Sequence, residues 1–202
     1  MIPQKIILGF LASHGGSNMQ AIIDGCKTGQ INAVPAVVIS NNSDSGAIIR
    51  AKKEGIPYYH ISTITHPEPE VHDRAIIQSF ETHGVNLVIL AGYMKKLGDA
   101  FIKHYHNRIL NIHPALLPKF GGEGMYGLNV HRAVIAAGEK ESGATVHIVN
   151  ELYDRGRILA QRIVPVYTDD TPETLAARVL EQEHILYPDT IRKIAEGRIV
   201  LD

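Results

Sequence analysis

Apolar positions along this chain fall into two alternating rhythms. Short, nearly continuous apolar runs occur at Lys5 to Ala12, Ala33 to Ser40, Ile56 to Ile61 and Val85 to Ala91. Runs of that length and composition read as strands buried on both faces. Stretches with one-face helical spacing follow the first three. Met19, Ile22, Ile23 and Cys26 close at Gly29; Ala47, Ile48 and Ala51 end near Gly55; Val71, Ala75, Ile76 and Phe80 run to Gly84. Pro35 lies near the start of its strand, where a missing donor is best tolerated. Asn41 to Asp44 supplies turn and N-cap chemistry, and Thr63 to Glu70, with Pro67 and Pro69, reads as a loop. Strand and helix in regular alternation predict an α/β fold with a doubly wound, mostly parallel sheet.

The second half changes rhythm. Arg108 to His113 begins as a buried strand and stops at Pro114, which cannot donate to a ladder and biases His113 towards extended backbone. Side chains alternate on a strand, so Asn111 and His113 share one face and Leu110 and Ile112 the other. A polar loop, Lys119 to Gly127, leads to a helix over Val130 to Ala137. Thr145 to Val149 and Ile158 to Val166 read as strands, and the short Asn150 to Gly156 connection predicts an antiparallel hairpin. Thr171 and Pro172 mark the start of a final long helix, expected to break or kink at Tyr187-Pro188 on its way to Gly197.

A single domain over 1–202 suits this length. The formal net charge of −1 argues against a broad nucleic-acid surface. No apolar run approaches the roughly 20 residues that span a bilayer, so no membrane partner is expected. Met1 to Lys5 lacks the basic region of a signal peptide. The lone Cys26 excludes an internal disulfide, and a cytoplasmic protein is the expectation.

Candidate chemistry concentrates at three places. Ser13-His14-Gly15-Gly16-Ser17-Asn18 joins a strand to a helix, where free N–H groups favour an anion. It matches neither a P-loop nor the dinucleotide fingerprint, so an anion site and a plain turn both stand. Asn111 and His113 project together beyond a strand's carboxyl end, where open α/β sheets bind ligands; the pair reads as structural or as oxyanion donor and proton carrier. Asp154 is a turn aspartate or, if it approached His113, a charge favouring the imidazolium. No serine elbow, paired-histidine zinc motif or calcium loop occurs, so no metal is indicated.

With these motifs in place, the chain resembles the folate-dependent formyltransferases, and among them the glycinamide ribonucleotide formyltransferase family. The likeness runs through Gly16-Ser17-Asn18-Met19-Gln20-Ala21-Ile22-Ile23, Leu90-Ala91-Gly92-Tyr93-Met94, Leu110-Asn111-Ile112-His113-Pro114-Ala115-Leu116-Leu117-Pro118, the Asp154 loop and Gln182-Glu183-His184. It implies a Rossmann-like domain whose part up to about residue 110 takes the ribonucleotide and whose remainder carries catalysis and folate. It also implies transfer of the formyl group of 10-formyltetrahydrofolate, as cosubstrate, to the amine of glycinamide ribonucleotide in purine synthesis.

By the same resemblance, Gly16, Ser17 and Asn18 would hold the phosphate and Glu183 the ribose. Met94, Lys95, Lys96, Leu97 and the loop Asn150, Glu151, Leu152, Tyr153 and Asp154 would surround the pteridine. Asn111 and a protonated His113 would stabilise the oxyanion, with Asp154 supporting the cation. A homodimer is compatible with it. His14, Lys95 and Asn129 depart from the family's usual glycine, arginine and histidine. A methionyl-tRNA formyltransferase would be expected to add a basic C-terminal domain, and a formyltetrahydrofolate deformylase an N-terminal one. The remaining alternatives are a deformylase-like hydrolase and a non-catalytic nucleotide- or folate-binding module.

Overall fold

The computed structural model describes residues 5–201, so the expectations for Met1 to Gln4 and for Asp202 lie outside it. Thirteen elements follow one another: β1 (Ile6–Leu11), α1 (Ser17–Lys27), β2 (Ala33–Ser40), α2 (Gly46–Glu54), β3 (Tyr58–His60), α3 (Pro69–Thr82), β4 (Leu87–Leu90), α4 (Asp99–His104), β5 (Ile109–His113), α5 (Leu128–Ala136), β6 (Glu141–Ile148), β7 (Ile158–Pro165) and α6 (Pro172–Ala195).

The strands form one seven-stranded sheet in the order β3-β2-β1-β4-β5-β6-β7. The first five are parallel, and β5-β6 and β6-β7 pair antiparallel. This is the doubly wound sheet with a terminal hairpin that the alternation predicted. Two apolar clusters sandwich it. One packs α1, α2, α5 and α6 against Leu8, Phe10, Leu110 and Ile112; the other packs α3 and α4 against Leu11, Val88 and Ile109. The order reverses between β1 and β4, so their carboxyl ends flank the crevice where such sheets bind ligands.

Four local expectations need correction. Helix α4 was not anticipated, because six residues are too short for a periodic signal; buried Phe101 and Ile102 hold it in place. Helix α3 starts inside the expected loop, with Pro69 in its first turn, where its missing N–H has no helical partner to lose. Strand β6 begins at Glu141, ahead of the apolar run, because polar Glu141 and Ser142 still pair with β7.

The last correction is α6, which is continuous through Pro188. Packing on both sides of the proline outweighs the lost bond: Leu186, Tyr187 and Ile191 are all buried. The Tyr187 hydroxyl lies 2.8 Å from the Leu110 carbonyl and 3.2 Å from that of Leu90. One side chain thereby fastens α6 to the two central strands.

Candidate active site

Strand β5 puts Asn111 and His113 on the face of Ile109, towards α3 and α4. Because β6 runs antiparallel to β5, it sets His147 directly across from Asn111. Asn111 Nδ2 lies 3.2 Å from His147 Nε2, and His147 Nδ1 lies 3.0 Å from the Ile148 carbonyl. A carbonyl only accepts, so Nδ1 carries a proton, while Nε2 lies between the Asn111 amide and the Asp154 carboxylate. Sequence reasoning missed His147. Nothing but the β5-β6 register marks it out.

Asp154 arrives from the β6-β7 connection, held in left-handed backbone at φ 54°. Its Oδ2 accepts the Gly122 N–H at 2.9 Å and lies 3.6 Å from His113 Nδ1, while Oδ1 lies 3.4 Å from His147 Nε2. A Cβ on Gly121 would sit 2.5 Å from Leu117 Cδ2 and 3.0 Å from Asp154 Cβ. The glycine-rich loop and the Asp154 turn therefore pack closely at Gly121, where a larger residue would push on Leu117 and Asp154. On its other side, His113 Nε2 donates to the Phe120 carbonyl at 2.8 Å.

Electrostatics refine the role expected of His113, which is 3% exposed. Burial pushes its pKa down, and the Asp154 charge and the Phe120 carbonyl only partly restore it, so the net direction is downward. The balance therefore favours the neutral imidazole at rest. Asp154 behaves oppositely: burial pushes its carboxyl up, but His147, His113 and the Gly122 N–H together hold it below the usual range.

His131, on α5, is pushed down to about 4 by burial and then by His113, and its buried Nδ1 has no partner among the described residues. Both folded-state imidazole pKa values lie below their unfolded values. Unfolded chains then bind protons first, and stability present above about pH 6.5 is lost as the pH falls. Thermal unfolding followed between pH 7.5 and 4.5 should show a falling Tm, with a shallower fall in His131→Gln. An equal slope in both proteins would contradict this account.

A second group of residues gathers on the α1 and α6 side. Gly16 has φ 69°, and a Cβ there would meet Ala47 at 3.0 Å, so glycine is required twice over. His14, by contrast, is not among the residues with positive φ, and the glycine usual in the family is not needed there. No side chain of the described residues caps α1, which leaves its first-turn N–H groups open to an anion. Asn18 Nδ2 donates to Glu183 Oε2 at 2.6 Å, and Asn18 Oδ1 is buried without a partner among the described residues. Burial raises the Glu183 pKa, and the Asn18 bond opposes it.

The third set lines two loops. Met94, Lys95 and Lys96 are exposed after β4, whereas Leu97 turns into the core beside Phe101. Across from them, Glu151, Leu152 and Tyr153 are exposed, and Asn150 Oδ1 accepts the Leu152 N–H at 3.1 Å. Lys96 Nζ sits 5.9 Å from the centre of the Tyr153 ring, so the two loops meet. Among the described residues, no group of three or more His, Cys, Asp or Glu is placed to hold a metal ion, and no helix is long and apolar enough to cross a membrane.

An amide, two imidazoles and a carboxylate at a strand's end, with an open helix start nearby, suit acyl-type transfer onto a phosphorylated acceptor. Known proteins agree. The family described as Formyl transferase matches residues 5–191. The chain is 42% identical over 198 residues to a chloroplastic phosphoribosylglycinamide formyltransferase of Arabidopsis thaliana, covering 98% of this chain and 68% of that protein. It is 40% identical over 189 residues to the phosphoribosylglycinamide formyltransferase of Escherichia coli (strain K12), covering 94% and 87%.

Among solved structures, glycinamide ribonucleotide transformylase 1 from Symbiobacterium toebii superposes with a TM-score of 0.91 at 42% identity, over 98% of this chain and 91% of that one. A formyltetrahydrofolate deformylase from Pseudomonas syringae pv. tomato superposes with a TM-score of 0.87, but at 25% identity and over 64% of its own length. Shared fold thus extends to the deformylase while sequence identity favours the ribonucleotide enzymes, and the chain belongs to the phosphoribosylglycinamide formyltransferase family.

Proposed function

We propose that Asn111, His113 and Asp154 carry out the transfer of a formyl group from 10-formyltetrahydrofolate to the amine of glycinamide ribonucleotide. The observation that supports this most directly is the convergence of the three side chains, with Asp154 Oδ2 3.6 Å from His113 Nδ1. The cosubstrate supplies a formyl carbon bound to N10. As the amine adds to that carbon, Asn111 offers an amide N–H to the oxygen that becomes negative. His113 is neutral at rest and gains a proton as negative charge builds beside it, with Asp154 stabilising the imidazolium. The proton leaving the amine passes through this group to N10 as the C–N10 bond breaks.

His147 holds the Asn111 amide in place for this task, since its Nε2 lies 3.2 Å from Asn111 Nδ2. The open start of α1 at Gly16, Ser17 and Asn18 takes the phosphate, and Glu183 takes the ribose. Fit to these ligands rests on the unpartnered Asn18 Oδ1, which suits a hydroxyl donor, and on exposed Met94, Leu152 and Tyr153 as apolar walls for the pteridine. No metal enters this reading, because the amide, imidazole and carboxylate already supply the charges that addition needs. We place the reaction in the cytoplasm, without a nucleic-acid or membrane partner, and a homodimer is the assembly to look for by light scattering.

The test follows folate absorbance with purified protein. Deformylation that depends on glycinamide ribonucleotide is the expected result; turnover without it would favour a hydrolase, and none with both substrates a binding module. Ser17→Pro removes one N–H from the helix start and should raise the KM for the ribonucleotide about tenfold, with the folate KM little changed. An unchanged ribonucleotide KM would move the phosphate elsewhere.

A further inference from the structure

Ser13, just beyond β1, is 1% exposed, and every polar group it owns is engaged. Its N–H donates to the Gly92 carbonyl at 3.0 Å. Its hydroxyl accepts the Met94 N–H at 2.8 Å and donates to Asn41 Oδ1 at 2.6 Å. Its carbonyl accepts from Asn42 Nδ2 at 2.6 Å. One residue therefore ties together the loops that leave β1, β2 and β4. Within two residues the same chain becomes the glycine loop, whose own carbonyls are fixed: His14 accepts the Ala47 N–H at 2.9 Å, and Gly15 accepts from Arg50 Nε at 2.9 Å.

The placement has a geometric consequence. β1 and β4 pair in register only as far as Leu11 and Leu90, and beyond them the chains separate, one towards α1 and the other towards α4. Bonds from Ser13 span that divergence. A hydroxyl has one proton to donate; with Asn41 taking it, the lone pair facing Met94 is held in direction. So deep a side chain reaches no substrate itself. We propose that Ser13 is a positioning residue for formyl transfer: it sets the folate-facing Met94 backbone at a fixed offset from the phosphate-binding helix start, an inference that rests on the function proposed above. Attack requires reacting atoms about 3–3.5 Å apart, and a displacement of about 1 Å can cost on the order of a hundredfold in rate.

The test compares Ser13→Ala, Asn41→Ala and the double variant with the parent protein. Asn41 is only partly buried, so its variant keeps the question open to measurement if Ser13→Ala misfolds. Each single variant is expected to lose about tenfold in kcat. Affinities for the ribonucleotide alone and for a non-transferring 10-formyl folate analogue alone, measured by calorimetry, should move less than about threefold. The double variant should be no slower than the worse single one, because both break the same link.

Unchanged kcat in both single variants would overturn the proposal, as would a loss that merely tracks equal weakening of both ligands or a lowered Tm. A parent protein that fails to formylate the ribonucleotide would remove the function beneath it as well. An active parent with indifferent variants would remove the positioning role alone.

Discussion

Asp154→Asn is expected to lower kcat about a thousandfold while ribonucleotide affinity stays within about threefold. The substitution is nearly isosteric, and an amide oxygen can still accept the Gly122 N–H, so the loop keeps its place. Charge is what disappears. Burial already pushes the His113 pKa down, and the Asp154 carboxylate is the foremost influence opposing it. Without that carboxylate, the imidazolium formed during addition has no counter-charge in a buried setting, where an unpaired cation is most costly. The ribonucleotide group, Asn18 with Glu183, shares no bond with Asp154. Steady-state rates beside calorimetric titration of the ribonucleotide separate the two quantities, and parallel losses in both would sink the role given to Asp154.

Gly156→Ala should lower kcat about a hundredfold without altering any group that acts chemically. A Cβ at Gly156 would overlap the Ile148 carbonyl oxygen and crowd its carbonyl carbon at 2.8 Å. Those atoms belong to the β6 terminus, where Ile148 N–H is bonded to the Arg157 carbonyl at 2.9 Å. Strand β6 is pinned on both sides, so the connection must move instead. Asp154 lies two residues away, and its contact with His113 moves with it. Overpacking of this kind also destabilises by about 1–3 kcal/mol, visible as a lower Tm. The decisive comparison is the double variant with Asp154→Asn. If Gly156 acts by placing Asp154, adding Gly156→Ala to Asp154→Asn lowers kcat little further; full additivity would show that Gly156 matters for another reason.

What could be read in the sequence follows from how local each feature is. β1, β2 and β4 are buried on both faces, so their apolar runs announce them without knowledge of their neighbours. Asn111 and His113 sharing a face follows from strand geometry alone. Three features depend on partners distant in the chain. Pro188 breaks a helix by local rules, yet Tyr187 and Ile191 are packed from outside it. His147 acquires meaning only from lying opposite Asn111, which requires the β5-β6 register. Nor does spacing reveal that Asp154 returns to His113, because a left-handed turn and an interlocked Gly121 bring it there. The resting charge of His113 is likewise a balance between burial and a neighbour, and neither is visible in a string of residues.

Strand direction reverses at β5, which among the described strands alone has a parallel neighbour on one side and an antiparallel neighbour on the other. A parallel neighbour needs a long crossover, usually a helix laid over the sheet. Here β5 still reaches β6 through the Lys119 to Gly127 loop and α5, but the antiparallel β6 and β7 need only the short connection that carries Asp154, and it returns to the face that Asn111 and His113 occupy. Asn111, His113, His147 and Asp154 all fall within residues 111–154, on β5, β6 and the connection after β6. The groups assigned to the phosphate and ribose lie outside that range, at Gly16 to Asn18 and at Glu183. On the proposed assignment, proton movement and choice of acceptor thus sit on separate parts of the chain, so a substitution at Gly16 to Asn18 or at Glu183 is expected to alter the acceptor without touching the groups that move a proton.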